Sequence, residues 1–269
     1  MGARIVNNLP DHEYHAVEAL SSSGIKKLLK SPAHFKVNRD TKREPTPAMI
    51  LGTATHLGIL EPHLFHERVV IAPDAKKTTK EGKAIHAEFE AANAGKIILK
   101  QEDYDHVIEM RKAVFNSPQW LTNFGKIGNA SEVSLFWDNP TYGVPCKARF
   151  DRLYDNGVIF DLKTCADASL KGVIKAISSP ELQYHVQAAF YLDAYREVLN
   201  EHAKAFVFCF VEKEPPYAVA YYVLSDESLR GGYAKVDAGL RLYQEALRTN
   251  EWRGYAPEIQ LIDLPQWGL

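Results

Sequence analysis

VPCKARFDRLYDNGVIFDLKTC, residues 144–165, is the stretch on which the fold turns. Two runs of strand-forming character, 144–155 and 157–165, flank Asn156-Gly157. Both turn residues tolerate positive φ, so the pair reads as a tight β-hairpin. Upstream, EVSLFWD (132–138) is a third strand. Downstream, PELQYHVQAAFYLDAYREVLN (180–200) opens with Pro180 at a first-turn position and continues as an amphipathic helix. AKAFVFCFVEKE (203–214) and YAVAYYVL (217–224) are two more strands, turned at Pro215-Pro216, and a helix over about 226–250 closes the chain. Three strands, a helix, two strands and a helix make an α/β core with a mixed central β-sheet flanked by helices.

The region before this core reads as helical. Residues 1–20 are irregular. Ser21-Ser22-Ser23-Gly24 then precedes IKKLLKSPAHFKV, a serine N-cap before an apolar-periodic segment, with Pro32 in the break between two short helices. Lys26, Lys27 and Lys30 lie largely off the apolar face and are either a solvated face or DNA-backbone contacts. REPTP (43–47) is a turn or linker, and MILGTATHLGILEP (49–62) is a largely buried helix. DAKKTTKEGK (74–83) is a basic, mobile loop, and helices follow at about 81–94 and 101–117. We therefore expect one domain over 1–269, with a helical N-terminal elaboration at about 1–125 and a catalytic sheet core at about 130–250.

Bulk properties exclude several classes. The 269 residues are 46% hydrophobic and 25% charged, ordinary for a globular protein able to bury a core. The formal net charge is -2, from 32 basic and 34 acidic residues. Any contact with nucleic acid must therefore come from local basic clusters. The densest is Lys76, Lys77, Lys80 and Lys83, which reads either as a DNA-backbone contact or as a solvated loop. Cys146, Cys165 and Cys209 are dispersed, which argues against a disulfide framework, a zinc site and an iron–sulfur cluster. The chain reads as a reduced, cytoplasmic protein, without a secretion signal in MGARIVNNLPDHEYH and without the ~20-residue apolar run of a membrane helix. No Gly-rich phosphate loop or G-x-S-x-G is visible.

The chemistry concentrates on the hairpin. Alternate strand residues share a face, so Asp161 and Lys163 project together while Leu162 turns inward. The hairpin brings Asp151 beside Asp161. Two carboxylates converging on one point suit a hard cation such as Mg²⁺, and Lys163 is placed to orient or deprotonate a water or to stabilise charge on a phosphate. D-x-K alone is common and reads equally as a salt-bridged strand edge. Here Val158-Ile159-Phe160 precede it, so its charges end a buried strand, where they are costly unless paired or metal-bound. His56, in Gly52-Thr53-Ala54-Thr55-His56, stands on an otherwise apolar helix. Glu132 opens a strand, and Gln187 and Tyr191 share a helix face. Each has a purely structural reading as well.

In this order, G-x-x-x-H, E, D, D-x-K and Q-x-x-x-Y resemble the pattern of the RecB-like PD-(D/E)xK (restriction-endonuclease-like) nucleases. SSSGIKKLLKSPAHF, KKTTKEGKA and YHVQAAFYLDAY sharpen the likeness to the nuclease domain of the exodeoxyribonuclease VIII (RecE) family, over roughly residues 14–250. The resemblance implies that His56, Asp151, Asp161 and the Leu162 carbonyl are metal ligands, and that Lys163 is the catalytic lysine. It further implies that Glu132 holds a second metal or its water, and that Gln187 and Tyr191 position DNA. It implies Mg²⁺, with Mn²⁺ as substitute and no iron–sulfur cluster. The implied activity is a 5′-to-3′ exonuclease on double-stranded DNA ends, leaving 3′ single strands for a RecT-like annealing protein. A ring-shaped homo-oligomer of phage or prophage origin is also implied. The alternatives are an endonuclease or flap-type nuclease and, from another class, a catalytically inactive DNA-binding protein.

Overall fold

A computed structural model describes residues 2–41, 44–126 and 128–264. The first part contains β1 (Arg4–Val6), α1 (Asp11–Ala16), α2 (Ser22–Lys30), α3 (Pro32–Asp40), α4 (Pro47–Leu60) and α5 (Phe65–Arg68). It continues with β2 (Val69–Ile71), α6 (Lys80–Ala92), β3 (Ile97–Leu99), α7 (Gln101–Asn116) and a π-helical turn at Trp120–Phe124. The sheet region follows: β4 (Asn129–Asp138), β5 (Pro145–Tyr154), β6 (Val158–Cys165), α8 (Leu170–Ser178), α9 (Tyr184–Leu199), β7 (Ala205–Glu212), β8 (Val219–Tyr222) and α10 (Asp226–Thr249). Among the described residues no helix is long and apolar enough to cross a membrane.

The six-stranded sheet runs β1-β4-β5-β6-β7-β8, with β6 and β7 parallel and the other neighbours antiparallel. This is the expected mixed sheet, and α8 and α9 make the crossover that a parallel pair requires. The central strands β6 and β7 are largely apolar on both faces because both are covered. Ile159, Phe206, Phe208 and Phe210 face one core with α2, α9 and α10. Phe160, Leu162, Val207 and Cys209 face a second with α4, α7 and Trp120.

The hairpin is built differently from a two-residue turn. Asp155, Asn156 and Gly157 connect the strands, only Gly157 (φ +80°) is left-handed, and the Asn156 side chain accepts from the Val158 amide at 3.2 Å. A three-residue connection ending in a left-handed glycine is the next most favourable hairpin solution. β5 and β6 then pair over Arg152–Phe160 and Leu153–Ile159, and the ladder ends just before Asp151 and Asp161.

Four expectations need correction. Of the stretch 1–20, read as irregular, residues 2–20 are structured: β1 pairs with β4, α1 buries Tyr14, and Leu20 bridges to Cys146. Segment 74–83 is a loop as far as Thr79, and only its last four residues, 80–83, belong to α6, capped by Thr79, whose Oγ1 accepts from Gly82 N at 3.0 Å. Pro180 precedes the helix by four residues; α9 starts at Tyr184, after a left-handed Gln183. A small parallel pair, β2 with β3, lies among the N-terminal helices. Of the expected linker at 43–47, Arg43 lies outside the described residues and Pro47 opens α4.

Candidate active site

β4 and β5 carry two of the site's carboxylates at a point where both strands change phase. Val133, Leu135 and Trp137, with Cys146, Ala148 and Phe150, face the first core. Strict alternation would send Ser131 and Arg152 the same way, yet both reach the opposite side, toward the end of α4. The change occurs at Glu132 (φ +52°), which sits opposite Asp151 between the Ser131–Arg152 and Val133–Phe150 pairs. A left-handed glutamate inside a strand is strained by roughly 1 kcal/mol or more, and such strain gathers at functional sites.

α4 supplies the third group. The ligating atoms of His56, Glu132 and Asp151, all half-buried, lie within 4.8 Å of one another. His56 Nδ1 is 3.6 Å from Asp151 Oδ2, and that oxygen also accepts from the Leu162 amide at 2.7 Å. One imidazole and two carboxylates, without a thiol, form a donor set that fits a hard divalent cation. Burial pushes the Glu132 carboxyl up to about 8, Asp151's charge adds to the rise, and Arg149 opposes it. A divalent cation among these groups would relieve that repulsion.

Asp161 stands beside this group with its own partners. It is fully buried, Oδ1 accepts from Gln187 Nε2 at 2.6 Å, and Oδ2 faces the Lys163 ammonium. Burial pushes Asp161 up to about 6 although Lys163 draws it down. Burial alone would lower Lys163, but the charges of Asp161 and Asp151 outweigh it and its pKa is raised. Lys163 is therefore a cation here. Leu162 turns into the second core, as alternation requires. Tyr191 packs on Phe150 and Phe206, with its hydroxyl pKa raised by burial.

The expected residues His56, Glu132, Asp151, Gln187 and Tyr191 all line one cleft of about 1680 Å³. The structure groups Glu132, rather than Asp161, most closely with His56 and Asp151. Lys76, Lys77, Lys80 and Lys83 are exposed and stand outside the cleft lining, and Lys77 pairs with Glu90 at 3.4 Å.

Several cleft residues had no role at the metal site in the sequence, where Lys26 read as a solvated face or a DNA-backbone contact. Lys26 lies 5.4 Å from the Tyr184 ring centre, against which Lys163 also packs at 5.0 Å. Burial, aided by Lys163, pulls Lys26 down to about 7. Arg149 joins Glu132 (3.9 Å) to the N-terminal segment, donating to Asp11 and to the Leu9 carbonyl at 3.0 Å. Lys147 is buried under the same segment and donates to the Tyr14 and Val17 carbonyls at 2.9 and 2.7 Å. The alternating Lys147, Arg149 and Asp151 were the available signal: three charges with a strand period, ending at the acid.

Comparison with known proteins agrees with this fold. A crystal structure from Eubacterium rectale, of a protein whose exonuclease assignment is itself provisional, superposes with a TM-score of 0.63. It is 14% identical and the match covers 96% of each chain, so the likeness is one of fold. SSO0001 (16% identity, TM-score 0.31, covering 77% of this chain and 87% of that one) is far more distant in shape. So is VC1899 from Vibrio cholerae (12%, 0.24, covering 92% and 58%), and neither carries an argument. No curated protein matches the chain. The family model of a PDDEXK-like domain of unknown function (DUF3799) matches residues 21–265, which includes every residue of the site, and the chain belongs to that family.

Proposed function

We propose that this protein is a divalent-metal-dependent DNA nuclease that acts as a 5′-to-3′ exonuclease on duplex ends. The observation that carries the reading is the meeting of His56, Glu132 and Asp151 within 4.8 Å, beside the Asp161–Lys163 pair, in a cleft of about 1680 Å³. His56, Glu132 and Asp151 would hold Mg²⁺ or Mn²⁺, with Asp161 and the Leu162 carbonyl the next donors along β6. When bound, such a cation supplies charge for a phosphodiester oxygen and acidifies a water. Gln187 fixes the orientation of Asp161, and Asp161 holds the Lys163 ammonium in place. As a cation, Lys163 suits the stabilisation of charge developing on the phosphate better than the removal of a proton. Tyr191 lines the cleft where a strand would lie.

The polarity, the RecE-like identity and the release of 3′ tails to a RecT-like annealing partner rest on the sequence resemblance. So do ring assembly, phage or prophage origin and work in the host cytoplasm. A linear duplex labelled at the 5′ or the 3′ end, with a covalently closed circle alongside, tests the reading in Mg²⁺ and in EDTA. The expected result is early release of the 5′ label, intact circles and no cleavage in EDTA. Cleavage of circles would reassign the protein as an endonuclease. Full activity in EDTA would remove the metal role.

A further inference from the structure

The metal group draws on three elements, and something must hold α4 in register with the strands. Helix ends leave carbonyls without intrahelical partners. At the end of α4, the Ile59 and Leu60 carbonyls both accept from Arg152 Nη2 at 3.0 Å, and the Leu60 carbonyl also accepts from Ser131 Oγ at 3.0 Å. These carbonyls belong to residues three and four positions beyond His56, on the same side of the helix.

Ser131 and Arg152 are cross-strand partners, and each is the chain neighbour of a carboxylate in the site, Glu132 and Asp151 respectively. The phase change at Glu132 and Asp151 makes this arrangement possible. One step of each strand presents a carboxylate to the cleft, and the adjacent step grips the helix that carries the imidazole. Arg152 is 7% exposed, and its guanidinium lies 4.9 Å from the Trp120 ring centre. Its Nε is buried without a hydrogen-bond partner, so the side chain is aimed by the helix end rather than by full satisfaction of its donors. A cation at a helix C-terminus also meets the negative end of the helix dipole.

We propose that Arg152 and Ser131 are positioning residues that set His56 against Glu132 and Asp151, so that one strand pair determines the spacing of all three ligands. This inference rests on the metal reading of the site. Its test is Mn²⁺ affinity, read by electron paramagnetic resonance titration, for Ser131→Ala and Arg152→Lys, each alone and combined with His56→Ala. Circular dichroism melts accompany each variant. Arg152→Lys keeps the charge but loses the fork that reaches two carbonyls.

Each substitution should weaken Mn²⁺ binding by roughly ten-fold in the otherwise native protein, the scale of lost support for a ligand, and add nothing once His56 is alanine. Equal weakening with and without His56 would overturn the proposal, because the residues would then act on the sheet at large. Unchanged Mn²⁺ affinity in both variants would overturn it as well. If Arg152→Lys does not fold, Ser131→Ala, which removes one hydrogen bond, decides the matter alone. An intact protein that takes up no Mn²⁺ would bring down the metal reading and this inference together, a result distinct from either of the others.

Discussion

Glu132 holds a proton in the folded protein that it would have lost in the unfolded chain. Its pKa is pushed up to about 8 from an ordinary carboxyl value of 4.5, chiefly by burial and then by Asp151. Between those values the native state binds more protons than the unfolded state, so this group's stabilisation is full at low pH and is lost as pH rises through about 8. Glu132→Gln, neutral at every pH, should therefore gain on the wild type across this window by roughly 1–3 kcal/mol in EDTA. Paired denaturant melts at pH 5 and 8.5 measure the difference, and a gap that does not change with pH would contradict the burial assigned to Glu132. At the neighbouring pair, Asp161→Ala and Lys163→Ala should each reduce cleavage by at least about 100-fold. They should differ in Mn²⁺ uptake: losing Asp161 removes a donor, whereas losing the Lys163 charge leaves cation affinity equal or higher. Near-native turnover in Lys163→Ala would show that its charge does not act on the reaction. Asp161, Lys163 and the inward Leu162 were legible in the sequence because strand alternation is a local rule. The left-handed backbone of Glu132 was not, because it arises only where two strands change phase together. Lys26 was legible as a helix lysine but not as a neighbour of Lys163, since that proximity is set by the packing of α2 on α9.

Elements with strong periodicity declared themselves, and those held by partners did not. β4 to β8, α9 and α10 follow the pattern of their apolar residues, and their bounds fall within a few residues of expectation. β1 has three residues and α1 six, without a side-chain cap, so neither carries a local signal. β1 is held by pairing with β4, and Lys147 and Arg149 of β5 hold α1 and its flanks. α6 falls where its pattern placed it, from about residue 81: Thr79 caps it, Lys76 and Lys77 stay in the loop before it, and Gly82 is required where a Cβ would meet the Lys76 carbonyl at 2.1 Å. If this capped corner touches DNA, replacing Lys76, Lys77 and Lys80 by alanine should flatten the salt dependence of binding by about 0.9 log units per lost phosphate contact. An unchanged slope would leave these lysines as solvated surface. Packing between elements has its own test at Gly232 of α10, where a Cβ would meet the His185 carbonyl at 2.4 Å and Ala189 Cβ at 3.0 Å. Gly232→Ala should force α10 away from α9 and cost about 1–3 kcal/mol, read as a lower denaturation midpoint. A neutral effect would mean that the helix pair yields more easily than this close approach implies.

For the whole molecule the question is how it would stay on DNA. With a net charge of -2 it has no long-range electrostatic hold on a polyanion. The cleft places carboxylates at its centre, and its cations are few and drawn from separate elements: Lys26 of α2, Arg39 of α3, Arg68 of α5, and Lys147 and Arg149 of β5. Lys147 and Arg149 are moreover occupied with the N-terminal segment. Repeated cutting of one duplex needs either tight backbone affinity or enclosure of the strand, and this charge distribution favours enclosure. Closed cyclic assemblies of identical subunits supply it without further basic surface. We therefore expect a ring and processive digestion, and the family resemblance implies a tetramer rather than a trimer. Light scattering at working concentration should give a multiple of the 30.3 kDa chain mass. Digestion started on labelled duplex should continue after excess unlabelled duplex is added, because a threaded molecule cannot exchange until it reaches an end. A monomeric mass with immediate arrest by the competitor would remove the ring. It would leave the nuclease reading standing, since His56, Glu132 and Asp151 come together within a single chain.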